Sequence, residues 1–204
     1  RVVSPNKTIV GFSDLSAMLG FLSSQYGFQV IHGPSVGVEF ANAKKSDDAN
    51  LSVTTLLEML SHKAMPSYQY EEIRSGSSEG ELVVCNLAML ISSLGTPYEI
   101  DTTDKILLLE DVAEAPYRVH RMLLQLYLAG KLEQLAGLGF GMFSDAPEPF
   151  GITFRDTISG FTRQYLGETN FPVIWGLPFG HKGLNMPFIC GGRAKISDGQ
   201  LAYL

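Results

Sequence analysis

The sequence predicts an α/β protein, with a partial parallel βαβ sheet domain at the N-terminal side and a C-terminal β/α domain after it. Three observations carry this expectation. Residues 7–31 read as strand, helix, strand; further strand-length apolar runs then alternate with segments of helical periodicity. A chain of 204 residues that is 45% hydrophobic also has enough apolar surface for a substantial core.

The elements follow in order. Lys7 to Val10 is a short apolar run of strand type. Leu15, Met18, Leu19 and Leu22 then recur at helical spacing until Gly27 stops the helix. Phe28 to Ile31 is a second strand, ended by the turn His32-Gly33-Pro34. Beyond the charge cluster at 43–48, Leu51 to Leu60 fits a short helix and Ser75-Gly76-Ser77-Ser78 a flexible loop. This gives expected domains at 1–45 and 79–204, with 46–78 as a linker region.

In the C-terminal part, Gly80 to Asn86 reads as a strand and Leu87 to Leu94 as a helix stopped by Gly95. Lys105 to Leu109 is a strongly apolar strand that ends in Glu110-Asp111. Pro116 opens the best-defined helix; Val119, Met122, Leu123 and Leu126 share one face, and Gly130 closes it. Leu135 to Phe140 and Phe171 to Trp175 are further strands, separated by a helix from Phe154 to Leu166. A Gly- and Pro-dense loop then places His181 on a tight turn.

Composition excludes some functions. The net charge of −6, with no Lys/Arg stripe, removes the attraction that supplies most nucleic-acid affinity. Its apolar runs are far shorter than the ~20 residues that span a bilayer, so neither nucleic acid nor membrane is an expected partner. Cys85 and Cys190 stand in dissimilar contexts, which fits a reducing compartment, and the cytoplasm is the expected location. No histidine pair or cysteine cluster has metal-ligand spacing, so neither metal nor cofactor is expected.

The chemistry centres on Ser13, which follows the apolar run Thr8 to Gly11 and precedes a helix. A serine hydroxyl becomes a good nucleophile when a neighbouring histidine takes its proton, and that imidazole needs a carboxylate to fix its tautomer. Ser13, Glu110 and His181 fall in the order nucleophile, acid, base, which is that of hydrolases with the serine on a strand-to-helix elbow. Each has a plainer reading as well. Ser13 suits a helix N-cap. Glu110 and Asp111 suit a solvated strand end, or acids near the positive end of the next helix. His181 suits a structural role in its loop, and His32 a turn-fixing role before Pro34. His120 falls among the polar positions of a helix, and His62 reads as exposed.

Several blocks shift that balance. Gly-Phe-Ser-Asp-Leu-Ser at 11–16, His-Gly-Pro at 32–34, Asn-Leu-Ala-Met-Leu at 86–90, Leu-Gly-Thr-Pro at 94–97, the run from Ile106 to Leu123 and Gly-Leu-Pro-Phe-Gly-His at 176–181 occur in one register. Together they resemble the LD-carboxypeptidase family, serine peptidases that include microcin-immunity proteins. The resemblance implies a C-terminal domain of swivelling ββα type, with Ser13 as nucleophile, Glu110 as acid and His181 as base. It also implies that the Asp14 backbone N–H serves as an oxyanion donor, that the substrate is a murein tetrapeptide losing its terminal D-Ala, and that the protein is a homodimer.

Two departures from the family pattern bear on this. The glycine-rich Arg-Gly-Gly-Tyr-type loop that supplies a second oxyanion N–H is absent from the sequence, so an N-terminally truncated chain, and a missing N-terminal segment as partner, are expected. Val84-Cys85 stands where the family commonly has Gly-Gly, which is expected to narrow the space near the site. The alternatives are a hydrolase of peptidyl-nucleotide antibiotics, and an inactive fragment that needs its missing half.

Overall fold

A computed structural model describes residues 7–204; the first six residues of the expected 1–45 domain lie outside the described part. β1 (Thr8–Gly11) and β2 (Gln29–His32) are parallel and are joined through α1 (Ser16–Tyr26), which is the βαβ unit read from the sequence. Gly27 ends α1 in the left-handed region at φ 63°, where a side chain is costly. The third strand of this small sheet comes from the far end of the chain: β9 (Phe188–Cys190) runs antiparallel to β2, with His32 opposite Phe188.

The second sheet has eight strands in the order β3, β11, β10, β5, β6, β7, β8, β4. Its centre is β5 (Ser78–Asn86), β6 (Lys105–Val112), β7 (Gly137–Ser144) and β8 (Val173–Trp175), all parallel. The helices α3 (Leu87–Ser93), α4 (Pro116–Leu128) and α5 (Phe154–Tyr165) make the crossovers. β10 (Arg193–Ser197) and β11 (Gln200–Tyr203) form a hairpin that extends one side antiparallel.

The stretch read as a linker contributes structure of its own. α2 (Asp47–Leu60) is a 14-residue helix that starts earlier than Leu51, with Ser46 as its N-cap. β3 (Ser67–Gln69) and β4 (Glu71–Arg74) then form the two outermost strands of the large sheet, on opposite sides. They are short and polar outward, so their sequence carries little strand signal, and pairing across the sheet decides them.

The central strands explain their own composition. Along β6, Leu107 and Leu109 enter the core under α3, α4 and α5, whereas Ile106 and Leu108 enter a second core against the βαβ unit and β9. Both faces are buried, so the strand reads as a continuous apolar run without alternation. Each such leucine stabilises the fold by ~1.5–3 kcal/mol. β6 extends past the apolar run, so Glu110 and Asp111 are strand residues at 0% and 3% exposure and not a solvated end. Among the described residues no helix is long and apolar enough to cross a membrane.

Candidate active site

β1 delivers the chain to its carboxyl end at Gly11. Phe12 is still extended, and Ser13 then turns into the left-handed region at φ 60° and opens a single turn of 3₁₀ helix, Ser13–Leu15, ahead of α1. A non-glycine residue in that region carries ~1–3 kcal/mol of strain and is held there by its surroundings. Here the surroundings are identifiable. The buried Ser16 hydroxyl donates to the Ser13 carbonyl (2.7 Å) and accepts the Asn86 backbone N–H (3.0 Å), which ties the turn to the end of β5. The Ser13 side chain does not cap the helix; Leu15 holds the cap position.

Instead, Ser13 Oγ lies 2.8 Å from His181 Nε2, and His181 Nδ1 lies 2.8 Å from Glu110 Oε2. A carboxylate only accepts, so Nδ1 carries the proton and donates to Glu110, leaving Nε2 to accept from the serine hydroxyl. The structure thus brings together the three side chains that the sequence singled out. They come from the end of β1, the end of β6 and the loop after β8. Asp14 follows Ser13 in the same turn, where helical N–H groups have no partner within the helix.

Glu110 is fully buried, and Asn86 makes that tolerable. Asn86 Nδ2 donates to Glu110 Oε1 (3.2 Å) and to Asp111 Oδ1 (2.9 Å), while its Oδ1 accepts from the Met89 N–H and caps α3. Asp111 also accepts from the backbone N–H groups of Ala88 and Val112. Burial pushes both carboxyls above their ordinary range, against these hydrogen bonds. Burial by itself would lower the His181 imidazole; the Glu110 hydrogen bond and charge, with Asp111 and Glu39 behind them, outweigh it and leave His181 raised.

The sequence reading assigned no role to Asn86, Ser16 or Asp111. The available signal was the position of Asn86, where a strand meets a helix and an Asx cap is common. Which carboxylates its amide would meet is decided by the pairing of β5 with β6, where Asn86 stands opposite Glu110.

The other expected positions resolve as follows. His32 does not fix a turn through a hydrogen bond: it is wholly buried, edge-on to Phe12 and Phe179, with neither ring nitrogen partnered among the described residues. Burial, and then the nearby His181, push its imidazole down to about 3, so it is neutral. His120 packs edge-on against Phe161 and Tyr165, and His62 is exposed. Val84 and Cys85 lie in the two opposite cores, and the Cys85 thiol is 3.4 Å from the Ser16 hydroxyl. A cavity of about 590 Å³ runs between α1, the start of β5 and β9 but includes none of Ser13, Glu110 or His181. A smaller one of about 470 Å³ borders the His181 loop.

Comparison with known proteins bears on the family and the fold. Residues 79–196 match the family described as the LD-carboxypeptidase C-terminal domain. The chain belongs to the LD-carboxypeptidase family. It is 29% identical to the murein tetrapeptide carboxypeptidase of Pseudomonas aeruginosa over the whole of this chain and 66% of that protein. It is also 29% identical to a probable murein peptide carboxypeptidase of Bacillus subtilis, over 95% of this chain and 61% of that protein. Among solved structures, the muramoyltetrapeptide carboxypeptidase of Oxalobacter formigenes superposes with a TM-score of 0.84 at 30% identity, covering 97% of this chain and 68% of that one. The microcin C7 self immunity protein MccF has the same fold, with a TM-score of 0.84 at 16% identity over 97% of this chain and 67% of that one. This LD-carboxypeptidase family chain spans about 61–66% of the length of the curated relatives it matches.

Proposed function

We propose that this chain carries the catalytic residues of a serine carboxypeptidase that hydrolyses the amide bond between an L-centre and a terminal D-alanine of a murein tetrapeptide. The observation that supports it most directly is the continuous Ser13, His181, Glu110 hydrogen-bond relay at 2.8 Å per step. In this reading Ser13 Oγ attacks the amide carbonyl carbon while His181 Nε2 takes the hydroxyl proton. Glu110 holds the imidazole in the tautomer that can accept it and stabilises the imidazolium. The negative oxygen of the tetrahedral intermediate turns toward the Asp14 N–H. His181 then gives the proton to the leaving amine, the C–N bond breaks, and an acyl-serine remains. Water, deprotonated by His181, releases the peptide acid and restores Ser13.

D-Ala release from a murein tetrapeptide is the measurement. Ser13→Ala is expected to abolish it, and undiminished release by that variant would sink the assignment. The fold shared with MccF supports a second reading, hydrolysis of a peptidyl-nucleotide antibiotic by the same three residues. Supplying both substrates side by side separates the two. A homodimer in the cytoplasm completes the proposal and is checked by sedimentation and by cell fractionation.

A further inference from the structure

A second buried polar cluster, which the proposed reaction leaves unused, lies beside the relay. Glu39 sits in the single helical turn Val36–Phe40 after β2 and is 7% exposed. Its Oε2 accepts from the Ser35 backbone N–H (2.6 Å) and hydroxyl (3.0 Å), and its Oε1 accepts from Asn185 Nδ2 (3.2 Å). Asn185 is wholly buried, and its backbone N–H donates to the Ser52 hydroxyl of α2 at 3.1 Å. Asn185 Oδ1 has no partner among the described residues. A buried amide with one end unpaired lowers stability, so this pair is better explained by what it holds in place than by what it adds to the fold.

What it holds is the loop that carries the base. Asn185 follows His181 by four residues and precedes β9 by three. The loop is closed at its base by the Met186 N–H, which donates to the Pro178 carbonyl at 2.9 Å. On the β7 side the Met142 N–H donates to the Phe179 carbonyl at 2.7 Å. Between these anchors the backbone of residues 181–184 makes no hydrogen bond to other backbone groups among the described residues. Towards α2 and the turn after β2, the loop is held through Asn185, by Ser52 and Glu39. Glu39 is also near enough for its charge to bear on His181, together with Glu110 and Asp111 of β6. Two 2.8 Å contacts from one imidazole leave little room for displacement of the loop.

Resting on the serine carboxypeptidase reading, we propose that Glu39 is a positioning residue of this site: by gripping Asn185 it holds the His181 loop at the depth where Nε2 reaches Ser13 and Nδ1 reaches Glu110. In this role Glu39 touches no substrate and exchanges no proton.

The test uses the full natural chain and two readouts. One is D-Ala release from the tetrapeptide; the other is the downfield proton signal of the hydrogen-bonded His181 Nδ1–H, which needs no substrate. Glu39→Ala removes the grip and is expected to weaken that signal and to lower kcat ~10–100-fold, with KM changed far less, because the base acts in the transition state. Asn185→Ala removes the same grip from the loop side with the same expected result, and it decides the matter where Glu39→Ala fails to fold. Glu39→Gln is expected to return both readouts close to wild type. Its carbonyl can accept from Ser35 while its amide donates to Asn185 Oδ1, once the Asn185 amide turns over. Folded alanine variants with wild-type kcat and signal overturn the proposal. So does a Glu39→Gln variant as impaired as Glu39→Ala, which would make charge and not the grip the cause. Absence of D-Ala release by the wild type removes the carboxypeptidase reading instead, and the proton signal alone then upholds or overturns the positioning.

Discussion

Ser13 Oγ and His181 Nε2 stand 2.8 Å apart although 168 residues of chain separate them. The contact exists because the strand after the His181 loop, β9, folds back to pair with β2, next to the strand that presents the serine. The small sheet therefore closes the site as well as carrying its nucleophile.

The pH dependence of this site follows from His181. Only the neutral imidazole can accept the serine proton, and its pKa is raised above the ordinary 6.5. The acid limb of kcat/KM is accordingly expected to have its midpoint above 6.5, with rate gained as pH rises through it. In Glu110→Gln the main raising influence is gone and burial remains, so the midpoint falls below 6.5. That variant also presents an N–H toward Nδ1, which favours the wrong tautomer, and kcat is expected to drop ~10³–10⁴-fold. A pH–rate profile of both proteins checks the two shifts.

Asn86 separates two buried acids, and removing it exposes their cost. Glu110 and Asp111 both have carboxyl pKa values raised by burial. A carboxyl that binds its proton more tightly when folded contributes most stability below its unfolded pKa and less as pH rises through the folded one. Asn86→Leu removes the amide donor to both, pushing them higher still. Denaturant unfolding is expected to show a loss of ~1–3 kcal/mol that is larger at pH 8 than at pH 5. A loss independent of pH would mean that the amide serves only as the cap of α3.

His32 makes the opposite prediction at the acid end. Its folded imidazole is pushed down to about 3 against 6.5 unfolded, so the unfolded chain takes up a proton that the fold refuses. Stability is then fully present above pH 6.5 and declines as pH falls from 6.5 toward 3, by a total on the order of 5 kcal/mol from this group. His32→Leu is expected to flatten that part of the stability curve, which unfolding at pH 7 and pH 4.5 will show.

The His181 loop lies against bare backbone of β7. A Cβ placed on Gly141 would meet the Phe179 carbonyl oxygen at 2.5 Å, and one on Gly180 would meet Met142 Cβ at 2.7 Å. Gly141→Ala is expected to displace the loop, costing ~1–3 kcal/mol and lowering kcat ~10²-fold, because a catalytic group misplaced by about 1 Å loses most of its effect. D-Ala release per folded molecule, with folded fraction measured separately, distinguishes the two effects.

Much of the fold was legible in the sequence because its central elements have strong local signals. The continuous apolar runs of β6 and β1, the amphipathic α4 between Pro116 and Gly130, and the αL stop at Gly27 each depend on residues close in the chain. The sheet margins were not legible. β3, β4, β9, β10 and β11 are three to five residues long and are strands only because partners remote in sequence supply their hydrogen bonds.

The same division runs through the site. By itself the sequence determined the chemistry available: a serine at a strand-to-helix turn, an acid after an apolar strand and a histidine in a Gly-rich loop, in the order that a hydrolase needs. Tertiary structure alone decided that Glu110 is buried within its strand, that Asn86 bridges it to Asp111, and that His181 reaches both Ser13 and Glu110. Residue type and order are local properties of the chain. Burial and hydrogen-bond partnership are properties of strands laid side by side, and they set the protonation on which the proposed chemistry depends.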